Sequence, residues 1–213
     1  SAAGGNELSI DVSFLDIVDA SDSILGFMGH AELNINRFLV ILDPVWTRIE
    51  KDDVAKNDPA DVNLVMDCLW FDLNTGYRFI DHARLTEGDD GPRISVDGLV
   101  GGRLTSLRVE LDTPDPGTLQ STEYWVDPVV GGRVTLDFND RIGMVVRGDI
   151  GGFGAGSELS AGMAGVVGYR FPLGEANGAV FAGYRALYQD YEDGGFEWRV
   201  WVHGPILGFE IGF

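Results

Sequence analysis

Apolar and polar residues alternate along most of this chain with a period of two, the signature of strands whose two faces meet different surroundings. From Ile142 to Gly152, the residues Ile142, Met144, Val146, Gly148 and Ile150 share one face. Gly143, Val145, Arg147, Asp149 and Gly151 share the other. The stretch from Tyr124 to Phe138 repeats the pattern, with Tyr124, Val126, Pro128, Val130, Val134, Leu136 and Phe138 set against Glu123, Asp127, Arg133 and Asp137. The same test predicts strands over residues 23–35, 37–49, 62–80, 93–111, 158–171, 177–190 and 196–213. Nine strands thus nearly adjoin one another. Their connections alternate between tight ones, at 34–36 and 138–140, and longer acidic ones, at 50–61, 112–121 and 190–195. The connection at 81–92 is the exception, being long on the side of the short turns.

Composition narrows the class. The chain has 213 residues, a length that suits one domain of ordinary size. Its 45% apolar and 11% aromatic content can bury too much surface for a disordered chain. Thirty glycines are about double the usual share and argue against a helical protein. A net charge of -19, with only Lys51 and Lys56 as lysines, would repel a phosphate backbone, so nucleic acid is excluded as a partner. The lone Cys68 rules out an internal disulfide and a cysteine metal cluster. No stretch approaches the roughly 18 consecutive apolar residues of a membrane helix. The chain opens without a charged-then-apolar leader, so a secretory signal is expected to have been removed or never to have been there.

Two architectures fit, and they differ in which face is apolar on the outside. In a soluble sandwich or lipocalin-like barrel the apolar face points inward. In a membrane barrel the faces invert: an apolar band about 25 Å tall with aromatic girdles faces lipid, and charges and glycines face the axis. Aromatic residues near strand ends (Tyr77, Phe79, Tyr169, Phe171, Tyr188, Tyr191, Trp198, Phe209, Phe213) suit such girdles. Strands of twelve or more residues suit a tilted crossing, which needs about 9 to 11. The expected fold is therefore all-β: an antiparallel up-and-down transmembrane β-barrel of about ten strands, with eight as the alternative. Residues 23–213 would form the barrel. Residues 1–22 would form an N-terminal segment, either a shortened first strand within 6–14 or a turn of helix, with Phe14, Ile17 and Val18 at helical spacing, packed in or over the interior.

The last strand places apolar residues at alternate positions and ends in an aromatic one: Leu207, Phe209, Ile211, Phe213. This is similar to the C-terminal signature by which bacterial outer-membrane barrels are recognised for insertion, so Phe209, Ile211 and Phe213 are its candidate residues. Three further stretches resemble a group of small, porin-like proteobacterial outer-membrane β-barrel proteins. The first is Asp11 to Asp19 followed by Met28-Gly29-His30. The second is Trp125 to Arg133 with Arg147 to Gly154. The third is Gly183-Tyr184-Arg185 together with His203-Gly204-Pro205. The resemblance implies location in the bacterial outer membrane, contact with its lipid and lipopolysaccharide, and delivery by the insertion machinery through the C-terminal strand. It implies no activity. Members of that group carry a full strand before the Asp-Val-Ser-Phe stretch, where this chain has ten residues. Closure by a strand within 6–14, or by a strand from a partner chain, remain the two alternatives.

If the apolar faces meet lipid, Glu32, Asp72, Arg78, Asp97, Arg103, Asp127, Arg133, Arg147, Asp149, Glu158, Arg170 and Arg185 point inward. Buried charges must be paired, and arginine offers carboxylates bidentate geometry. The candidate network is Asp127, Arg133, Arg147 and Asp149 on neighbouring strands, with Arg103, Arg185, Glu32 and His30. It is either a structural set of salt bridges or a charged constriction that selects small solutes. A barrel this small is nearly filled by its own side chains, while interior glycines free some room. The acidic loops 50–61, 112–115 and 190–193 are either simply solvated or bridged by divalent cations to lipopolysaccharide.

No enzyme, cofactor or metal site is expected. His30 lies on the face of Glu32 and is the histidine predicted to look inward, but no serine can be matched to it as a nucleophile. His82 falls in a connection and His203 precedes Gly204-Pro205. Cys68 reads as an inert thiol. Gly151-Gly152-Phe153-Gly154 has neither the helix nor the lysine of a phosphate loop. The expected function is an integral envelope protein, structural or a narrow passive channel. The alternative is a membrane-anchored binding or assembly module that offers acidic loops or a strand edge to an envelope partner.

Overall fold

The computed structural model describes residues 10–13, 23–51, 63–86, 91–112 and 119–212. The alternating segments form strands, as the period of two requires. They are β1 (Ile10–Ser13), β2 (Ser23–Met28), β3 (Ala31–Ile35), β4 (Phe38–Lys51), β5 (Asn63–Arg84) and β6 (Arg93–Asp112). After these come β7 (Leu119–Asp137), β8 (Ile142–Gly152), β9 (Leu159–Leu173), β10 (Ala176–Asp193) and β11 (Phe196–Gly212). They make one eleven-stranded sheet in the order β1-β11-β10-β9-β8-β7-β6-β5-β4-β2, with β3 also on β4. Strands β2 to β11 pair with one another in antiparallel fashion throughout. The fold is all-β and antiparallel, as the alternation predicts.

Three local features explain where strands break and turn. β2 and β3 lie end to end on β4 in an unchanged register, Met28 opposite Val45 and Ala31 opposite Leu42. The ladder lapses between them because Pro44 has no N–H to give; the Gly29 amide still donates to the Pro44 carbonyl at 2.9 Å. The β3–β4 turn places Asn36 at φ 57, and the β10–β11 turn places Gly194 and Gly195 at φ 57 and 93. Left-handed residues of this kind give a two-residue hairpin the twist its strands need. In β5, register slips against β6 after Arg78 and again after Ile80, and His82 sits at φ 45. These bulges carry the strand past residue 80 to Arg84, so the first four residues of the connection expected at 81–92 are strand.

The N-terminal strand departs from expectation. β1 falls within 6–14, but it runs parallel to β11, Ile10 opposite Val200 and Ser13 opposite His203. It therefore does not extend the up-and-down order, and the tenth antiparallel strand arises instead from the break at Pro44. The other residues of 1–22, including the turn of helix expected around Phe14 to Val18, lie outside the described residues, as does Phe213.

The sheet curls until strands far apart in its order touch. β5 and β10, five places apart, are joined by the Trp70 indole N–H donating to Gln189 Oε1 at 2.8 Å. The concave face is thereby covered in part, with many apolar residues exposed on the convex face and several charged ones buried on the concave face. Leu207 is 85% and Tyr124 74% exposed, whereas Asp127 is 0% and Asp97 and Arg103 are each 1% exposed. On β7 the residues Tyr124, Val126 and Val130 are exposed, while Trp125, Asp127, Val129 and Arg133 are buried, as the phase of the pattern predicts. Aromatic contacts gather at the turn end of the outer face, where Phe38, Tyr77 and Phe79 pack edge to face with centroids 5.3 Å apart.

Interior glycines make room for the curl of the sheet. A Cβ on Gly101 would overlap the Leu73 carbonyl oxygen and approach the Cα and Oδ1 of Asn74 to 2.7 Å. Gly101→Ala is therefore expected to destabilise the fold by about 1–3 kcal/mol through overpacking against backbone. Equilibrium urea unfolding of the variant against the native chain reads this loss.

Candidate functional site: a bonded interior

Along β5 the inward positions descend from Cys68 and Trp70 through Asp72 and Asn74 to Gly76 and Arg78, and the interior is layered in the same order. The layer nearest the long loops is apolar. Cys68, Trp70, Leu107 and Leu187 are buried together, with Val45, Met66, Val109, Phe196, Trp198 and Val202 packed against them. A second apolar group, Leu39, Ile41 and Leu99, lies toward the turn end. The expectation of a charge-lined interior thus holds for only part of its length. The inward positions of these strands carry apolar residues on both sides of the polar layer.

Between the apolar layers, Arg103 on β6 gathers residues of three other strands. Its Nε and Nη2 donate to the two carboxylate oxygens of Asp72 at 2.8 and 3.1 Å. The bidentate geometry follows from register, since Asp72 and Arg103 face each other across β5 and β6. Nη2 also donates to Asp149 at 2.9 Å and Nη1 to Ser160 at 3.0 Å. Gly162 leaves room for this pair, since a Cβ there would stand 2.9 Å from Asp149 Oδ1 and 3.0 Å from Arg103 Nη2. Arg185 reaches Asp72 from β10 at 3.3 Å.

A neighbouring set is centred on Gln189 and Asp127. Gln189 accepts from Trp70 and donates through Nε2 to Thr105 at 2.8 Å and to Asp127 at 3.3 Å. Asp127 also accepts the Ser157 amide at 2.6 Å and the Ser157 hydroxyl at 2.9 Å. The loop between β8 and β9 turns through Gly152, Phe153 and Gly154, all at positive φ, and this brings Ser157 under cover. The Gly-Gly-Phe-Gly run is thus a capping turn over a carboxylate. Beside it Trp125 stacks on Tyr191, centroids 4.1 Å apart.

Toward the turn end Asp97 accepts from Arg78 at 2.8 Å and from Arg133 at 2.9 Å. Arg133 then crosses the interior to grip Glu32 on β3 through both terminal nitrogens, Nη2 to Oε1 at 3.0 Å. Arg147 crosses in the same sense from β8 to Asp43 on β4. Asp43 is also 2.6 Å from Nδ1 of His30, whose Nε2 lies 3.6 Å from Glu32. His30, its side chain 44% accessible, is thus tied between two carboxylates.

The structure brings the predicted network residues inside but pairs them differently. Asp127, Arg133, Arg147 and Asp149 do not bond to one another; each reaches across to a strand outside that group of four. Arg133 and Arg147 are direct cross-strand neighbours, so like charges on adjacent strands send each guanidinium to the opposite wall. Glu158 is exposed in a loop. Asp43, Gln189, Ser157 and Ser160 were not anticipated. Phase would have found Asp43 and Gln189, which sit in step with Ile41 and Arg185, but Asp43 falls in a run apolar on both faces. Ser157 lies in a loop, where phase says nothing.

The other candidates have structural surroundings. Cys68 is buried in the apolar layer. His203 faces outward on β11, with the Tyr184 hydroxyl on its Nδ1. Phe209 and Ile211 face outward and are exposed. Of the acidic loops, 190–193 is described: Asp190 accepts from Arg199 at 3.1 Å, while Glu192 and Asp193 are exposed. Loops 52–62 and 113–118 lie outside the described residues. Compared with family models, with curated proteins and with solved structures, the chain has no match.

Proposed function

We propose that this chain is an integral outer-membrane β-barrel protein whose bonded interior closes its own passage, so that it acts as a structural or anchoring element of the envelope rather than as an open pore. The inversion of the two faces carries this reading. A convex surface bearing Leu25, Phe27, Val100, Val130, Ile150 and Leu207 at 48–85% exposure is costly in water and favourable in hydrocarbon. Carboxylates at 0–2% exposure are tolerable inside because arginines and amides bond them. The alternating last strand, with Phe209 and Ile211 outward, agrees with recognition by an insertion machinery. Among the described residues an ionic layer is backed by an apolar one at the loop end, which favours anchoring over passive passage of solutes.

Planar-bilayer recording tests the choice. The native protein is expected to give a silent bilayer after insertion. Discrete openings would instead support the narrow channel, with Arg103 and Arg133 as its constriction.

A further inference from the structure

The two margins of the sheet run in the same direction. β11 descends from the loop end at Phe196 to the turn end at Gly212, and β2 and β3 descend from Ser23, opposite Glu50, to Ile35, opposite Phe38. Among the described residues, β3 pairs with β4 and no other strand, and β11 beyond His203 pairs with β10 alone. Each margin therefore presents a row of backbone donors and acceptors, a template for a further strand. We infer that the seam between Gly204–Gly212 of β11 and Ala31–Ile35 of β3 is a strand-acceptor site for one ascending amphipathic strand of a partner polypeptide.

Direction, alternation and charge define that strand. Two descending margins can both be satisfied in antiparallel fashion only by an odd number of added strands, the first and last of them ascending, and one ascending strand is the least. The outward residues at the margins are Leu33, Ile35, Leu207, Phe209 and Ile211, all exposed, so the strand is apolar at its outward positions. Inward, the seam offers the exposed carboxylate of Glu210, while Glu32 is already held by Arg133 and His30, so the inward positions are small, with a basic residue where the strand passes Glu210. A second copy of this chain in the same orientation does not fit, because its free margins also descend. Residues 1–9 carry one large apolar side chain, Leu8, and lack the alternation. β1 shows that the β11 edge accepts a strand, since it occupies that edge from Val200 to His203.

The inference rests on edge geometry. The membrane reading adds that unpaired backbone groups are poorly tolerated beside lipid. Its test uses the whole chain in detergent with Cys68→Ala as background and a synthetic nine-residue peptide alternating valine with threonine and lysine. Single cysteines are placed at Ile35 or Ile211 at the low end of the seam, and at Ala31 or Leu207 higher up. A peptide with an N-terminal cysteine should form a disulfide at Ile35→Cys and Ile211→Cys at least about tenfold faster than a peptide of the same composition without alternation. A C-terminal cysteine should reverse the preference toward Ala31→Cys and Leu207→Cys. Equal trapping of both peptides, the opposite polarity, or cysteines already shielded before peptide is added would overturn the proposal. So would a spontaneous disulfide between Ile35→Cys and Ile211→Cys in one chain, since the margins would then close on each other. Solubility without detergent would sink the membrane reading while leaving the trapping result interpretable.

Discussion

Arg103→Met is expected to cost about 3–5 kcal/mol of stability, the range for removing one partner of a buried ionic cluster. Arg103 is 1% exposed and bonds Asp72, Asp149 and Ser160 at once. Without it two carboxylates stand in the interior beside a methionine, with Arg185 left to reach Asp72 alone. The charges cause the loss more than the missing volume does, because methionine fills much of the space. Adding Asp72→Asn and Asp149→Asn should therefore recover most of the stability even though it removes further ionic bonds. Urea unfolding of the four proteins in detergent or lipid, followed by tryptophan fluorescence, gives the cycle. The exposed pair Arg93–Asp140, with side chains 42% and 93% accessible, provides the contrast; its removal should change stability by no more than about 1 kcal/mol.

Val130→Arg should be comparably damaging for the opposite reason. Val130 lies midway along the outer face of β7, between Val100 on β6 and Ile150 on β8, and is 48% exposed. In hydrocarbon an arginine near the midplane costs about 2–4 kcal/mol, with nothing on the neighbouring strands to bond it. In water the same change at an exposed position would fall within about 0.5 kcal/mol. Stability and insertion yield of Val130→Arg, measured beside an arginine placed in the exposed β9–β10 turn at Glu175, separate the two surroundings. The expected result is a large loss at Val130 and almost none at Glu175.

The strands were legible because period two survives wherever one face is wholly apolar, as on β7 and β8. Their limits were less so. The extension of β5 to Arg84 depends on bulges, and the break between β2 and β3 depends on Pro44, a residue of the neighbouring strand rather than of the broken one. The direction of β1 could not be read from four residues, because alternation is the same in parallel and antiparallel ladders. Which charges face inward followed from phase. Which charges pair did not, since pairing across an enclosed interior depends on curl and stagger, and these brought Glu32 to Arg133 and Asp43 to Arg147 over about a hundred residues of chain. The apolar layers around Cys68 and Leu39 were hidden for a related reason. Their residues lie in runs apolar on both faces, where alternation is silent.

The central claim is that the convex face meets hydrocarbon while the concave face holds the charges. Methyl NMR of the chain in lipid nanodiscs tests it most directly, using a nitroxide carried on the lipid chain and a gadolinium chelate confined to water. Signals of Val130, Val146, Ile150 and Leu207 should broaden with the lipid-borne nitroxide and ignore the chelate, while Leu39, Ile41 and Val129 should respond to neither. A chain that stays dissolved and monodisperse without lipid or detergent, with its outward methyls broadened by the aqueous chelate, would contradict the account.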